Sequence, residues 1–121
     1  MKRFIAAASL ALCMAWLPGA HAQQPMSCEI GPAHRTFGGT PWLVYSCEDG
    51  KSLVVITEAG SVAAPFVFII AWRDGNYRIS GEGNGSQAAS NAAGRDLEAL
   101  TAADIAALIE ETEASQSSAP N

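Results

Sequence analysis

The chain has 121 residues, 12 acidic against 7 basic side chains, and a hydrophobic fraction of 49%. This length suits one small domain. Removal of an N-terminal signal peptide, argued next, would leave five basic residues and a net charge of −7. That balance excludes nucleic acid and anionic membranes as expected partners, because both bind clustered Lys and Arg. It is compatible with a basic protein partner.

Residues 1–22 have the three-part layout of a secretory signal peptide. Met1–Arg3 is basic, Phe4–Leu17 is apolar, and Ala20-His21-Ala22 is a small-x-small cleavage site. The apolar run is shorter than the roughly 20 residues that a membrane-spanning helix needs. We therefore expect a periplasmic or secreted protein that begins at Gln23 and has no membrane attachment after cleavage.

Two cysteines, Cys28 and Cys47, remain in the mature chain. In an oxidising compartment an even count predicts a disulfide. The bond would close a loop of about 20 residues and contribute roughly 3 kcal/mol in the chain-entropy model. It would tie an irregular N-terminal arm, residues 23–40, to the first strand.

Short apolar runs separated by turn residues predict a four-stranded antiparallel meander. Asp49-Gly50 and Asp74-Gly75 are dipeptides that tight hairpin turns prefer. Lys51–Trp72 holds the two most apolar strands and is expected to form the centre of the core. The predicted strands are Trp42–Cys47, Lys51–Glu58, Pro65–Trp72 and Tyr77–Gly81.

A C-terminal helix is predicted over Thr101–Thr112. Thr101 and Asp104 are spaced as an N-terminal capping box, and Ile105, Leu108 and Ile109 fall on one helical face. Residues 86–93 predict one or two further helical turns with Gly94 as the stop, and residues 113–121 predict a disordered tail. The expected fold is a single α+β domain over residues 23–112, a sheet packed by a C-terminal helix and held by one disulfide.

His34 is the one histidine of the mature chain. An enzyme built around it would need a Ser and a carboxylate brought together by the fold. His34 lies in a segment rich in Gly and Pro, which favours a solvated surface side chain. We expect no catalytic residue, no cofactor and no metal site.

Aromatic residues gather around the disulfide arm and the sheet. Trp42 and Trp72 are out of phase with their apolar neighbours, which predicts partial exposure. Tryptophan is a common anchor of protein interfaces. The candidate partner-contact residues are Trp42, Trp72, His34, Arg35 and Phe37.

The segment Tyr45–Val55, with Cys47 before an Asp-Gly turn and an apolar strand, resembles part of the bacterial periplasmic lysozyme inhibitors of the C-type class. Those are small, exported, disulfide-bonded β proteins that insert a loop into the lysozyme cleft. Their inhibitory Ser-Gly motif with a following aromatic is not found here, because Ser80-Gly81 precedes Glu82-Gly83. The resemblance therefore supplies no site residue.

Three function classes stay open at this point. The first is a small exported binding or accessory protein without catalytic machinery, a class that includes hydrolase inhibitors. The second is a small exported enzyme with a site built around His34. The third is a subunit of an envelope assembly that pairs through a sheet edge.

Overall fold

A five-stranded antiparallel sheet forms one layer of the molecule, and two helices form the other. The structure is a computed structural model and describes residues 26–118. The strands follow one another in space as they do in sequence, in the order β1-β2-β3-β4-β5. The elements are β1 (Ile30–Phe37), β2 (Thr40–Ser46), β3 (Leu53–Thr57), β4 (Phe66–Arg73), β5 (Asn76–Gly83), α1 (Gln87–Glu98) and α2 (Ala102–Ser118).

The α+β fold with a C-terminal helix is confirmed, but the sheet has five strands and not four. The additional strand is β1, which lies in the segment predicted to be an irregular arm. It contains Pro32, which an edge strand tolerates because one of its sides needs no backbone donors. A turn at Gly38-Gly39, both at positive φ, folds β1 back onto β2. Pairing with β2 holds β1 in the sheet, so β1 forms although its own sequence lacks the apolar pattern of a strand.

The two Asp-Gly turns are found where the sequence predicts them, with Gly50 at φ 68° and Gly75 at φ 82°. The Asp49 carboxylate accepts the backbone N–H groups of Lys51 and Ser52 at 2.9 and 2.8 Å. These bonds fix the β2–β3 connection locally, as Asp does in many turns.

The helices differ from their predicted bounds. The chain forms one continuous α1 that includes Gly94, which does not act as a stop. The capping box is confirmed: the Asp104 carboxylate accepts the N–H of Thr101, and the Thr101 hydroxyl accepts the N–H of Asp104.

The end of α2 also differs from the prediction. The helix continues past Thr112 to Ser118, so residues 113–118 are helical and not part of a tail. Side chains in this last part bind β1: Ser115 donates to the carbonyl of Pro32 at 2.6 Å, and Gln116 accepts the N–H of Gly31 at 3.1 Å. The predicted signal peptide, residues 1–22, and the end of the predicted tail, residues 119–121, lie outside the described residues.

We call the side of the sheet that packs against the helices the inner face. Alternate residues of each strand point to it, as the two-residue period of a strand requires. Ser46 of β2 and Thr112 of α2 form a buried polar pair between the sheet and the helices, with their hydroxyls 2.7 Å apart. The buried apolar side chains of the core are Ala33, Phe37, Trp42, Val44, Leu53, Val55, Ala63, Phe68, Ile70, Ala93, Leu97, Ile105, Leu108 and Ile109.

A disulfide closes the open end of the β1–β2 hairpin, and the turn at its other end contacts α1. The predicted disulfide joins Cys28, which precedes β1, to Cys47, which follows β2. At the other end of the hairpin, Gly38 donates its N–H to the Asp96 carboxylate of α1. A Cβ at Gly38 would lie 2.4 Å from the backbone of Ala93, so the turn touches α1 through bare backbone. Within residues 26–118, no helix is both long and apolar enough to cross a membrane.

Candidate partner-binding surfaces

The side of the sheet that faces away from the helices, which we call the outer face, is also apolar. The strand registers place side chains from β2, β3 and β4 next to one another across this face in two rows. Ile56 and Ile69 are 37% and 45% exposed, and their apolar neighbours are half-buried. The members of this outer-face cluster are Leu43, Tyr45, Val54, Ile56, Val67 and Ile69.

A polar frame surrounds the cluster at the edge strands. On β1, His34 is 70% exposed, and its Nδ1 lies 2.9 Å from Oε1 of Glu58. On β5, the outer-face residues are Asn76, Arg78, Ser80 and Glu82. An apolar centre with a polar rim is the usual layout of a protein interface.

Trp42 and Phe37, two of the predicted contact residues, belong to the core. Trp42 is fully buried and Phe37 is 7% exposed, so the partial exposure predicted for Trp42 is not found. The indole N–H of Trp42 donates to the carbonyl of Phe37 at 3.2 Å, and its ring lies 5.4 Å from that of Phe68. Trp42 is on the inner face because the period of β2 places it level with buried Val44.

Trp72 is half-buried at the end of the inner face. Its ring centroid lies 4.8 Å from that of Tyr77 and 4.9 Å from Nζ of Lys51. Burial raises the pKa of Tyr77, and the nearby charge of Asp49 adds to this. Burial alone would raise the pKa of Asp49 too, but hydrogen bonds from Ser52 and nearby backbone N–H groups outweigh it and lower that pKa.

Arg35 also points to the inner face, where it reaches α2. Its Nε donates to Oε2 of Glu111 at 3.0 Å, and its Nη2 lies 2.8 Å from the same oxygen. Both side chains are more than 40% exposed, so the pair contributes little to stability. Among the five predicted contact residues, His34 is therefore the one that the fold places on the outer face.

A second open surface lies between β5 and α1, in a groove of about 510 Å³. Its floor is the ring of Phe66, and its walls include Gly81 and Gly83 on β5 and Ser90 and Asn91 on α1. A Cβ at Gly81 would lie 2.7 Å from the rings of both Phe66 and Phe68, so only glycine lets these rings pack against β5. The groove therefore exposes part of the half-buried Phe66 ring beside an edge strand.

Within residues 26–118, no group of three or more His, Cys, Asp or Glu side chains is placed to hold a metal ion. The side-chain partner of His34 is the carboxylate of Glu58, and a carboxylate beside a histidine orients it without supplying a nucleophile.

The outer-face cluster was not among the residues predicted from sequence. A signal for it existed: Leu53–Ile56 and Phe66–Ile70 are continuous apolar runs and do not alternate with polar residues. Continuous runs indicate strands that are apolar on both faces. Within residues 26–118 both helices pack on the inner face, so the apolar side chains of the outer face have no helix over them.

Comparison of the chain with models of known protein families, with curated proteins and with solved structures gives no match. The function must therefore be argued from these two surfaces.

Proposed function

We propose that this chain is a small exported binding protein that engages another protein through its outer face, without catalysis. The outer-face cluster is the observation that carries the proposal. Six large apolar side chains lie side by side there, and two isoleucines among them are more than a third exposed. Contiguous apolar patches on a small domain mark interaction surfaces, whereas single exposed apolar residues do not.

The physical reason is the free energy of hydrating that patch. Burying apolar surface contributes about 25 cal/mol per Å². A partner that covers Ile56, Ile69 and their neighbours gains this term without reordering the sheet, because the backbone of β3 and β4 is already held on both sides. A preorganised surface loses little conformational entropy on binding.

Export supports an extracytoplasmic partner. The signal-peptide layout of residues 1–22 and the Cys28–Cys47 disulfide are both typical of periplasmic or secreted proteins. The mature net charge of −7 favours a basic partner by long-range attraction.

A hydrolase is the finer candidate for that partner. The segment that resembles the lysozyme inhibitors contributes Tyr45 and Val54 to the outer-face cluster. Calorimetric titration of a C-type lysozyme with the mature protein tests this, and we expect binding that Ile69→Asp abolishes. Absence of binding would reject a lysozyme as the partner. The proposal of a protein partner at the outer face would then be tested by the photo-crosslinking described below.

The alternative of an enzyme built around His34 has weaker support. The His34–Glu58 pair stands on the exposed outer face and not in a pocket that would exclude water from a reaction. We expect His34→Ala to leave partner binding through the centre of the outer face largely intact.

Photo-crosslinking in the organism that makes the protein tests the main proposal. A photoreactive amino acid at position 69 should give an adduct with another protein, and Ile56→Asp in the same chain should strongly reduce it. The matched control is the probe at Glu113, an exposed residue of α2. Equal adducts at 69 and 113, or none at 69, would contradict the proposal. An adduct with the mass of two chains would contradict a different protein as partner and indicate self-association, through the outer face or through the neighbouring edge strand β5.

A further inference from the structure

Strand β5 is an edge strand of eight residues. Among residues 26–118 it pairs with β4 alone, and most of its residues are exposed. Alternate N–H and C=O groups of an edge strand point away from the sheet and are a template for another strand. Its two charged residues, Arg78 and Glu82, have opposite signs, and they lie at equal distances in sequence on either side of Ser80.

That spacing makes the strand complementary to itself. If β5 pairs antiparallel with β5 of a second copy about Ser80, Arg78 lies directly opposite Glu82 of the second copy. The two-fold symmetry repeats the pair, and directly opposed charges of opposite sign stabilise a cross-strand pair. Directly opposed residues of two antiparallel strands point to the same face of the sheet. The two-fold axis must therefore lie between two copies of the same residue. Centring on Ile79 or Gly81 would oppose a charged residue to Ser80 and lose both ion pairs.

The inner face of the same pairing is complementary in size. Tyr77 comes opposite Gly83 of the second copy, and Ile79 comes opposite Gly81. The glycines leave part of the half-buried Phe66 ring open beside β5, in the groove described above, and the buried ring of Phe68 packs next to it. A large side chain placed across from a strand glycine shields the apolar surface around it. The side chains of the second copy would thus cover the aromatic floor of the groove.

We propose that β5 pairs with β5 of a second copy about a two-fold axis through Ser80, so that the two sheets form one continuous ten-stranded sheet. The proposal is independent of the outer-face function, because β5 contributes its backbone edge and not the outer-face cluster. The axis is perpendicular to the sheet. The two outer faces therefore lie on the same side of the dimer.

Charge exchange at the two opposed positions tests the pairing. Light scattering after size-exclusion chromatography of the mature protein should give the mass of two chains. Arg78→Glu would place two carboxylates opposite each other, and Glu82→Arg would oppose two arginines, so each variant should have the mass of one chain. The double variant, R78E/E82R, should be a dimer again. Mixing the two single variants should give a heterodimer, because each then supplies the charge that the other needs.

The matched control is Arg73→Glu, an exposed arginine of β4 outside the proposed pairing, which should stay dimeric. Circular dichroism spectra of the single variants should match that of the control at a temperature where all are folded, which separates lost pairing from lost folding. A wild-type mass of one chain at all concentrations would overturn the proposal. So would dimeric single variants, or a mixture that stays monomeric.

Ser80→Cys gives an independent test of the register. The two Ser80 residues face each other across the axis, at the Cβ spacing of about 5 Å that opposed strand residues have. Mild oxidation should therefore link two S80C chains, whereas Arg73→Cys chains should stay unlinked. Linking of Arg73→Cys as fast as Ser80→Cys would reject this register.

Discussion

Ile69 and Ile70 are neighbours on β4, have the same side chain and meet opposite surroundings. Ile70 is fully buried between Leu53 and Ile79 on the inner face, whereas Ile69 is 45% exposed between Val54 and Ser80 on the outer face. Strand propensity and hydrophobicity cannot distinguish them. The difference arises because both helices pack on one side of the sheet. The inner face therefore stabilises the fold, and the outer face is left with apolar surface available for a partner.

The largest expected effect separates these two positions. Ile70→Asp should unfold the domain, with a loss of at least about 4 kcal/mol, because it buries an unpaired charge and removes core contacts. Ile69→Asp should cost about 1–2 kcal/mol, since the carboxylate can reach water. Urea denaturation of the two variants measures the difference. Equal losses would show that something covers the outer face of the free protein.

The helix layer gives a second matched pair. Leu108 on α2 is 3% exposed and its neighbour Ala107 is exposed. Leu108→Asp should unfold the domain for the same reasons as Ile70→Asp, and Ala107→Asp should lower the melting temperature by only a few degrees. A melt of Leu108→Asp that matched the wild type would mean that α2 does not cover the inner face in solution.

Loss of the disulfide should affect both faces alike. Cys47→Ser removes a constraint on the unfolded chain, with an expected cost of about 3 kcal/mol. The destabilised protein should keep binding its partner at temperatures well below its melting point, because the outer face itself is unchanged. Reduced melting temperature with intact crosslinking from position 69 is the expected combination. Loss of the adduct in fully folded protein would place the disulfide within the binding surface.

The buried hydroxyl pair of the inner face should have a smaller effect. Thr112 Oγ1 donates to the carbonyl of Ile109 and so accepts from Ser46. Thr112→Val should cost about 1–3 kcal/mol, because it leaves the Ser46 hydroxyl buried without this partner. The double variant S46A/T112V should lose less than the sum of the single variants in a double-mutant cycle. Strict additivity would show that the two hydroxyls do not interact.

The smallest expected effect lies at the exposed start of α2. Hydrogen bonds from the backbone N–H and the hydroxyl of Thr101 hold the pKa of Asp104 below its ordinary value of 3.8. A depressed folded-state pKa stabilises the protein above the unfolded-state value, and this stabilisation is lost as pH falls through the folded-state value. Asp104→Asn should therefore slightly flatten the loss of stability below about pH 4. Identical pH profiles for the variant and the wild type would contradict this role.

The parts of the fold that the sequence predicts well depend on local signals. Hydrogen bonds within a few residues fix the turn at Asp49 and the start of α2 at Thr101 and Asp104. The turn at Asp74-Gly75 depends on the positive φ of its own two residues. The missed parts depend on distant partners. Strand β1 is paired by β2, and α2 continues to Ser118 where its side chains bind Gly31 and Pro32.

The two candidate surfaces also combine features that the sequence shows with features that only the fold determines. That β3 and β4 are apolar throughout can be read from sequence, but which of their faces a helix covers cannot. Trp42 was predicted to be partly exposed because it looked out of phase with its apolar neighbours, but in β2 it lies on the same buried face as Val44. The two glycines that open the groove at β5 are visible in the sequence, whereas the phenylalanine rings beneath them come from the neighbouring strand.

The bonds between β1 and α2 have a consequence for the order in which the fold can be completed. Strand β1 is hydrogen-bonded by Ser115 and Gln116 and forms an ion pair with Glu111, all in the second half of α2. Synthesis proceeds from the N-terminus, so β1 is made first but acquires these contacts last. Contacts that span most of the chain are slow to form because a long loop must close before they do. In a partly synthesised chain, β1 therefore lacks these hydrogen bonds and this ion pair until α2 has been made and has folded onto it.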